Sequence, residues 1–263
     1  SSISQLNGKK IEKFSFRNKI EINEAMESIK HKKFNISDIS SKIVSRNPSG
    51  PFTTSTLQQV ASSRLGFGAS RTMQIAQRLY QGIEIDGETI GLITYMRTDG
   101  TNLSADAVSD FRDFIKNQYG AEYLPEKPLN YSGKKAKNAQ EAHEAIRPTD
   151  ISRSPDTVKK YLSTDQQKLY NLIWGRALSS QMESAKFDRN TITITSEDSD
   201  TICKSSGSVQ KFDGFLRVFP SQSKDEDESI LPEMTKGPIN IESLIDDQHF
   251  TQPLPRYSEA SLV

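Results

Sequence analysis

Residues 47–51 read Asn-Pro-Ser-Gly-Pro. No regular element crosses such a stretch, because each proline lacks the amide hydrogen that a helix turn or strand ladder requires. The apolar pattern differs on its two sides. Before the break, residues 1–47 are polar, with short alternations at Phe14, Phe16 and at Ile20, Ile22, and one amphipathic helix predicted near Glu24–Lys30 from Ala25, Met26 and Ile29. After it, the spacing is helical. Ser55 with Gln58 reads as a capping box opening a helix with Leu57, Val60, Ala61 and Leu65 on one face. Gly66-Phe67-Gly68 reads as an inter-helix turn, and Ser70 as the cap of the next helix, carrying Met73, Ala76, Leu79 and Tyr80. Ser104 caps a third with Val108, Phe111, Phe114 and Ile115; Thr164 with Gln167 opens a fourth with Leu169, Leu172, Ile173 and Ala177.

Near residue 183 the pattern changes again. Thr191-Ile192-Thr193-Ile194-Thr195 alternates as a half-buried strand does, Val209–Val218 repeats the pattern around Asp213-Gly214, and Ile239–Ile245 is a third candidate. Glu84–Glu88, acidic around Gly87, reads as a surface loop. The order of strand-rich, helical and strand-rich segments predicts an α+β chain in which a helical domain, residues 50–182, is inserted into a β-rich one made of residues 1–49 and 183–263.

Composition narrows the function classes. The 34 basic and 34 acidic side chains cancel. Nonspecific nucleic-acid coats are strongly basic, so any DNA contact here must be local and shaped. One cysteine, Cys203, excludes an intrachain disulfide framework, and its place predicts a half-buried strand residue rather than a nucleophile. No run approaches the roughly 20 apolar residues that cross a bilayer, and no charged-then-apolar leader is present. The chain starts Ser1-Ser2-Ile3 without Met and stops five residues after Ser258, which reads as a helix cap; we expect a segment of a longer protein.

The chemistry concentrates in two stretches. In Ile93-Thr94-Tyr95-Met96-Arg97-Thr98-Asp99-Gly100-Thr101-Asn102-Leu103-Ser104, a tyrosine, an arginine and an aspartate sit at alternate positions before a helix cap. Extended backbone projects such residues to one side. A phenol of ordinary pKa about 10 is a nucleophile once helped to lose its proton, a guanidinium grips phosphate oxygens as a fork, and Asp99 can orient that guanidinium. Taken singly, the run is also what an exposed strand end leading into a helix looks like. In Gln140-Glu141-Ala142-His143-Glu144-Ala145-Ile146-Arg147-Pro148-Thr149-Asp150, His143 can donate to a phosphate or shuttle a proton. Glu144 and Arg147 are neighbours if the stretch is helical. A surface ion pair and a solvated histidine are the plainer readings, and no Cys/His spacing here makes a metal site. Trp174 reads as core; Lys134-Lys135-Ala136-Lys137, Asp225–Glu228 and Asp246-Asp247 read as solvated loops.

Together these stretches resemble the bacterial type IA topoisomerases, of the topoisomerase I kind. The resemblance also covers Pro51–Gln59, Arg64-Leu65-Gly66-Phe67-Gly68, Phe212-Asp213-Gly214 and Pro255–Val263. Met96 favours topoisomerase I over topoisomerase III and reverse gyrase, where proline is usual; a non-catalytic scaffold of mixed fold is the alternative of another class. The resemblance implies a torus in which the helical domain is a gate and the β-rich domain the arch. It implies catalytic roles for Tyr95, which would form a 5′-phosphotyrosine, for Arg97 on the scissile phosphate and for His143 beside it. Arg97, Asp99, His143, Glu144 and Arg147 would be the DNA-contacting set. It further implies a single-stranded DNA region as substrate, relaxation of negative supercoils, a cytoplasmic, nucleoid-associated setting, and two partner domains of the parent chain not found in these residues, a Toprim domain that holds magnesium and a domain that lines the DNA groove. On that reading this segment holds no metal and is inactive alone. Gly100 departs from the family's serine, and residues 83–90 resemble an insertion.

Overall fold

The alternation at Thr191–Thr195 is the middle of a much longer strand. A computed structural model describes residues 1–131, 144–221, 231–254, 256–259 and 262. These fall into two compact units. One holds residues 1–45, 186–212 and 231–254; the other holds the described residues of 46–185, those of 213–221, and those from 256 onward.

The first unit is built on a six-stranded sheet. Its strands are β1 (Ser2–Leu6), β2 (Lys9–Lys10), β3 (Phe34–Arg46), β6 (Ala185–Ser196), β7 (Ile202–Phe212) and β8 (Gly237–Ile239), in the order β2-β1-β7-β6-β3-β8. β6 and β7 form an antiparallel hairpin running from Lys186 opposite Phe212 to Thr195 opposite Ile202. Lys32 closes its turn by pairing with Asp198 at 2.9 Å and with Asp200. The Ser196 hydroxyl and the Lys32 ammonium hold the Asp198 carboxyl far below the usual carboxylate range. Leu6, Ile29 and Phe34 are buried against Ile3, Phe16, Ile194 and Ile239. Cys203 is half-buried against the same cluster, and burial pushes its thiol up.

Two expectations shift here. The helix α1 spans Lys19–Lys30, starting earlier than Glu24, because the Asn18 side chain accepts the Glu21 amide hydrogen at 3.0 Å and caps it. Ile20 and Ile22, read as strand alternation, therefore lie on a helix. The third candidate strand ends at Ile239 rather than starting there, since Gly237–Ile239 pairs with the start of β3.

The second unit is mainly helical: α2 (Thr54–Leu65), α3 (Ala69–Gln81), α4 (Ala105–Gln118), the short α5 (Pro155–Val158) and α6 (Thr164–Ser179). Its core includes Leu57, Ala61, Ala76, Leu79, Phe111, Ile115, Leu169 and Ile173, all buried. Burying a leucine or isoleucine fully is worth about 1.5–3 kcal/mol, so this face outweighs any single cap. Trp174 is core as expected: its indole donates to the Ile151 carbonyl at 3.0 Å, and its ring meets Phe114 edge-on.

The caps of α2, α3 and α6 lie one or two residues earlier than predicted. Thr53, not Ser55, opens α2 through a reciprocal box with Thr56, and Ser163 opens α6 through one with Gln166. Gly68 stands at the cap of α3, where the Glu259 carboxylate accepts the Ala69 amide hydrogen at 3.3 Å. Ser104 caps α4 as expected. Glu84–Glu88 is not a loop but part of a hairpin of β4 (Ile83–Ile85) and β5 (Glu88–Ile90). Its Asp86-Gly87 turn has φ of 52° and 90°, the mirror-image geometry that matches strand twist. The strand expected over Val209–Val218 stops at Phe212. Gly214 takes φ 49°, and a Cβ there would lie 2.5 Å from the Glu183 carbonyl oxygen. Residues 214–217 then wind into a short turn. Phe219 follows beneath Arg64, whose guanidinium lies 3.9 Å from its ring centre.

Two tyrosines in this unit bear on alkaline stability. The Tyr131 hydroxyl donates to the Ser180 carbonyl at 2.9 Å, and burial pushes its pKa up to about 12. The Tyr170 hydroxyl donates to the Arg153 carbonyl at 2.7 Å and is likewise raised by burial. A raised folded pKa means the contribution is complete below the unfolded value of about 10 and is lost as pH rises toward the folded one. The melting temperature should therefore fall from about pH 10 upward. Tyr131→Phe should flatten that fall, as read by thermal melts across pH; an identical slope in the variant would show that Tyr131 titrates no differently in the folded state.

Candidate active site

The stretch from Gly91 to Ser104 belongs to no strand or helix of the helical unit, yet its backbone is tightly held. It leaves the β4–β5 hairpin at Gly91, and the Leu92 amide donates to the Leu79 carbonyl at 2.8 Å, tying it to the last turns of α3. On one side it runs beside residues 144–149. Thr94 N–H donates to the Arg147 carbonyl at 2.9 Å, Thr149 N–H to the Leu92 carbonyl at 3.0 Å, and Ala145 N–H to the Asn102 carbonyl at 2.9 Å. Threonine hydroxyls complete the set: Thr94 Oγ1 donates to the Ala145 carbonyl at 2.7 Å and accepts from Arg147 N–H at 3.0 Å, while Thr98 Oγ1 donates to the Glu144 carbonyl at 2.9 Å. On the other side it meets the start of α2, where Thr54 N–H donates to the Thr98 carbonyl at 2.8 Å.

This anchoring sorts the side chains. Leu92, Ile93, Met96 and Thr98 are buried, whereas Tyr95, Arg97 and Asp99 are exposed. Strict alternation over 95–99 is what the sequence predicts, although bends at Met96 and Arg97 keep the segment out of a regular ladder. Tyr95 is 52% exposed, unusual for a large aromatic ring, and its one ring contact among the described residues is with Tyr80, edge-on with centroids 5.4 Å apart.

Glu144 and Arg147 are neighbours, but not through a helix. Ile146 between them bridges antiparallel to Phe52, so the stretch is extended. Glu144 Oε1 accepts from Arg147 Nε at 2.6 Å and from the Ser104 amide at 3.0 Å. Arg147 Nη1 donates to the Pro148 carbonyl at 2.9 Å. Burial raises the Glu144 carboxyl, but the Arg147 hydrogen bond and the Ser104 amide outweigh it and hold the group below its ordinary value. The pair thus braces the cap of α4 against residues 144–148. His143 and Lys134–Lys137 lie outside the described residues.

Three threonine hydroxyls, of Thr54, Thr94 and Thr98, take part in this anchoring. Neither motif nor periodicity assigns Thr54, Thr94 or Thr98 a role, and periodicity places Tyr80 on a helix face. The spacing of Thr94 and Thr98 carries a signal: threonines four residues apart, both at the inward phase of an alternation, place hydroxyls where buried backbone needs partners. Among the described residues no group of three or more His, Cys, Asp or Glu side chains is arranged to hold a metal ion.

Comparison with known proteins gives one consistent answer. The profile of the DNA topoisomerase family matches residues 2–263. DNA topoisomerase 1 of Rickettsia felis is 46% identical over 267 residues, and that of Rickettsia prowazekii 47%; each alignment covers all of this chain and 34% of the relative. Among solved structures, full-length topoisomerase I from Thermotoga maritima superposes with a TM-score of 0.72 at 31% identity, over 96% of this chain and 40% of that one. The chain therefore spans 34% of the length of these curated relatives.

Gly91 offers a direct test of the anchoring. A Cβ at this position would lie 2.7 Å from the Tyr80 carbonyl oxygen, a backbone atom that cannot swing away. Gly91→Ala should destabilise the helical unit by about 1–3 kcal/mol, the usual cost of overpacking, in urea unfolding. Wild-type stability in this variant would show that the approach of residue 91 to α3 is not a constraint.

Proposed function

The chain belongs to the family of bacterial type IA DNA topoisomerases, and on that premise we propose that it carries the strand-cleaving tyrosine of a topoisomerase I. The observation that carries this reading is the alternation over 95–99, which leaves a phenol, a guanidinium and a carboxylate facing outward from a backbone anchored on both sides.

In this reading the Tyr95 oxygen attacks a DNA phosphodiester. A bond forms between that oxygen and phosphorus, and the phosphorus–3′-oxygen bond breaks. The phenolic proton is lost, the departing 3′ oxygen gains one, and the 5′ phosphate stays on the tyrosine. Attack by the 3′ hydroxyl reverses every change, so religation needs no outside energy. Arg97 grips the non-bridging oxygens as their charge grows. Asp99 orients Arg97, and His143 donates to the scissile phosphate or its neighbour. Glu144 and Arg147 sit beside the DNA path and hold the phosphate-facing segment in place.

The helical unit acts as the gate that bears the tyrosine, and the β-rich unit belongs to the arch. A single-stranded region is the substrate, and the outcome in the longer enzyme is relaxation of negative supercoils in the bacterial cytoplasm. Magnesium belongs, in this reading, to the acidic cluster of a Toprim domain, where it would help neutralise DNA phosphate charge; the residues described above are not its ligands. No helix among the described residues is long and apolar enough to cross a membrane.

In the full-length enzyme, Tyr95→Phe should abolish the covalent adduct that denaturant traps on cleaved DNA while leaving folding unchanged, since one oxygen is lost. Adduct surviving in that variant would assign the nucleophile elsewhere. Arg97→Lys keeps the charge and loses the fork, and should slow single-turnover cleavage by more than about tenfold.

A further inference from the structure

Arg97 is exposed, so packing does not fix its long side chain. Besides the orienting carboxylate of Asp99, a hold on its backbone can fix it. One side chain holds the peptide groups on both sides of it. Thr54 Oγ1 donates to the Met96 carbonyl at 2.8 Å, with the Thr98 carbonyl at 3.1 Å sharing that hydrogen, and accepts from the Thr98 amide at 2.8 Å. The Thr54 amide, one of the orphan donors of a helix start, closes the set on the Thr98 carbonyl at 2.8 Å. Thr54 needs none of these bonds to start its helix, because Thr53 is the cap and forms its box with Thr56. The hydroxyl is therefore spent wholly on residues 96 and 98.

We propose that Thr54 is the positioning residue for Arg97: its hydroxyl fixes the peptide groups before and after Arg97, and so fixes where the guanidinium fork can reach. The physical reason is preorganisation. A group that must meet phosphate oxygens as charge develops loses rate steeply with displacement, on the order of a hundredfold for 1 Å. Met96 and Thr98, buried on either side, set the depth of the segment; the Thr54 hydroxyl sets its twist. This deepens, and rests on, the reading of Tyr95 and Arg97 as the reacting pair.

The test is a mutant cycle in the full-length enzyme, read by single-turnover adduct formation at saturating single-stranded DNA. Thr54→Val keeps the shape and removes the hydroxyl. It should slow cleavage by about ten- to a hundredfold, with DNA affinity, measured in the Tyr95→Phe background, unchanged. Thr54→Ser should recover most of the rate. In the Arg97→Ala background, Thr54→Val should cost little more, because residues that act as a unit are not additive. Should Thr54→Val fail to fold, Thr54→Ala takes its place in the cycle, since alanine suits a helix start.

Full additivity of the two losses would overturn the proposal, because Thr54 would then act on the fold or on the whole site. So would wild-type cleavage in Thr54→Val or Thr54→Ala. Failure of the underlying reading has a different mark: adduct in Tyr95→Phe, whatever Thr54 does.

Discussion

Buried backbone must find hydrogen-bond partners, and the stretch carrying Tyr95 has no sheet or helix to supply them. The helical unit solves this with borrowed partners. Carbonyl and amide groups of residues 92–102 bond to the end of α3, to residues 144–149 and to Thr54. Three threonine hydroxyls complete what backbone alone leaves open. Much of the rest follows. The alternation of inward Met96 and Thr98 with outward Tyr95, Arg97 and Asp99 persists without a ladder because each inward residue has its own anchor. The extended run at 144–148 is extended because it serves as the other side of this arrangement.

That same demand explains where Glu144 and Arg147 sit. Each is charged and partly withdrawn from water, a position that costs free energy unless the charges are paired and hydrogen-bonded. Glu144 meets Arg147 and the Ser104 amide at once. One carboxylate thereby joins the motif at 144–148 to the start of α4. A negative charge at that end of a helix is favoured by the peptide dipoles as well.

Much of this was legible in the sequence, and the misses have common causes. Long periodic segments declared themselves: the helices carrying Leu57, Leu79, Phe111 and Leu169, and the strand around Ile192. The outward phase of Tyr95, Arg97 and Asp99 was legible from alternation alone. Boundaries were not, because serine and threonine cluster at the caps; Thr53 and Ser55 are equally plausible until backbone geometry chooses. The Asp86-Gly87 hairpin was hidden by its acidity, which reads as loop. The break at Gly214 depends on a close approach to Glu183, a contact distant in the chain that no local pattern encodes. For the same reason Thr54 was invisible as a partner of residues 96 and 98: hydroxyl bonds across forty residues leave no periodic trace.

The link between the Leu92 amide and the Leu79 carbonyl has a consequence for how the family can diversify and for how the site can be instrumented. It pinches the β4–β5 hairpin off as a closed excursion, entering and leaving the fold at nearly one point. Chain added at Gly87 leaves that link in place, while Asp86 itself accepts from the Tyr161 hydroxyl and ties the turn to residues 159–161. An insertion beside Gly87, where a Cβ would meet nothing within 4 Å, is accordingly the natural attachment point for a dye or a surface tether on the tyrosine-bearing unit.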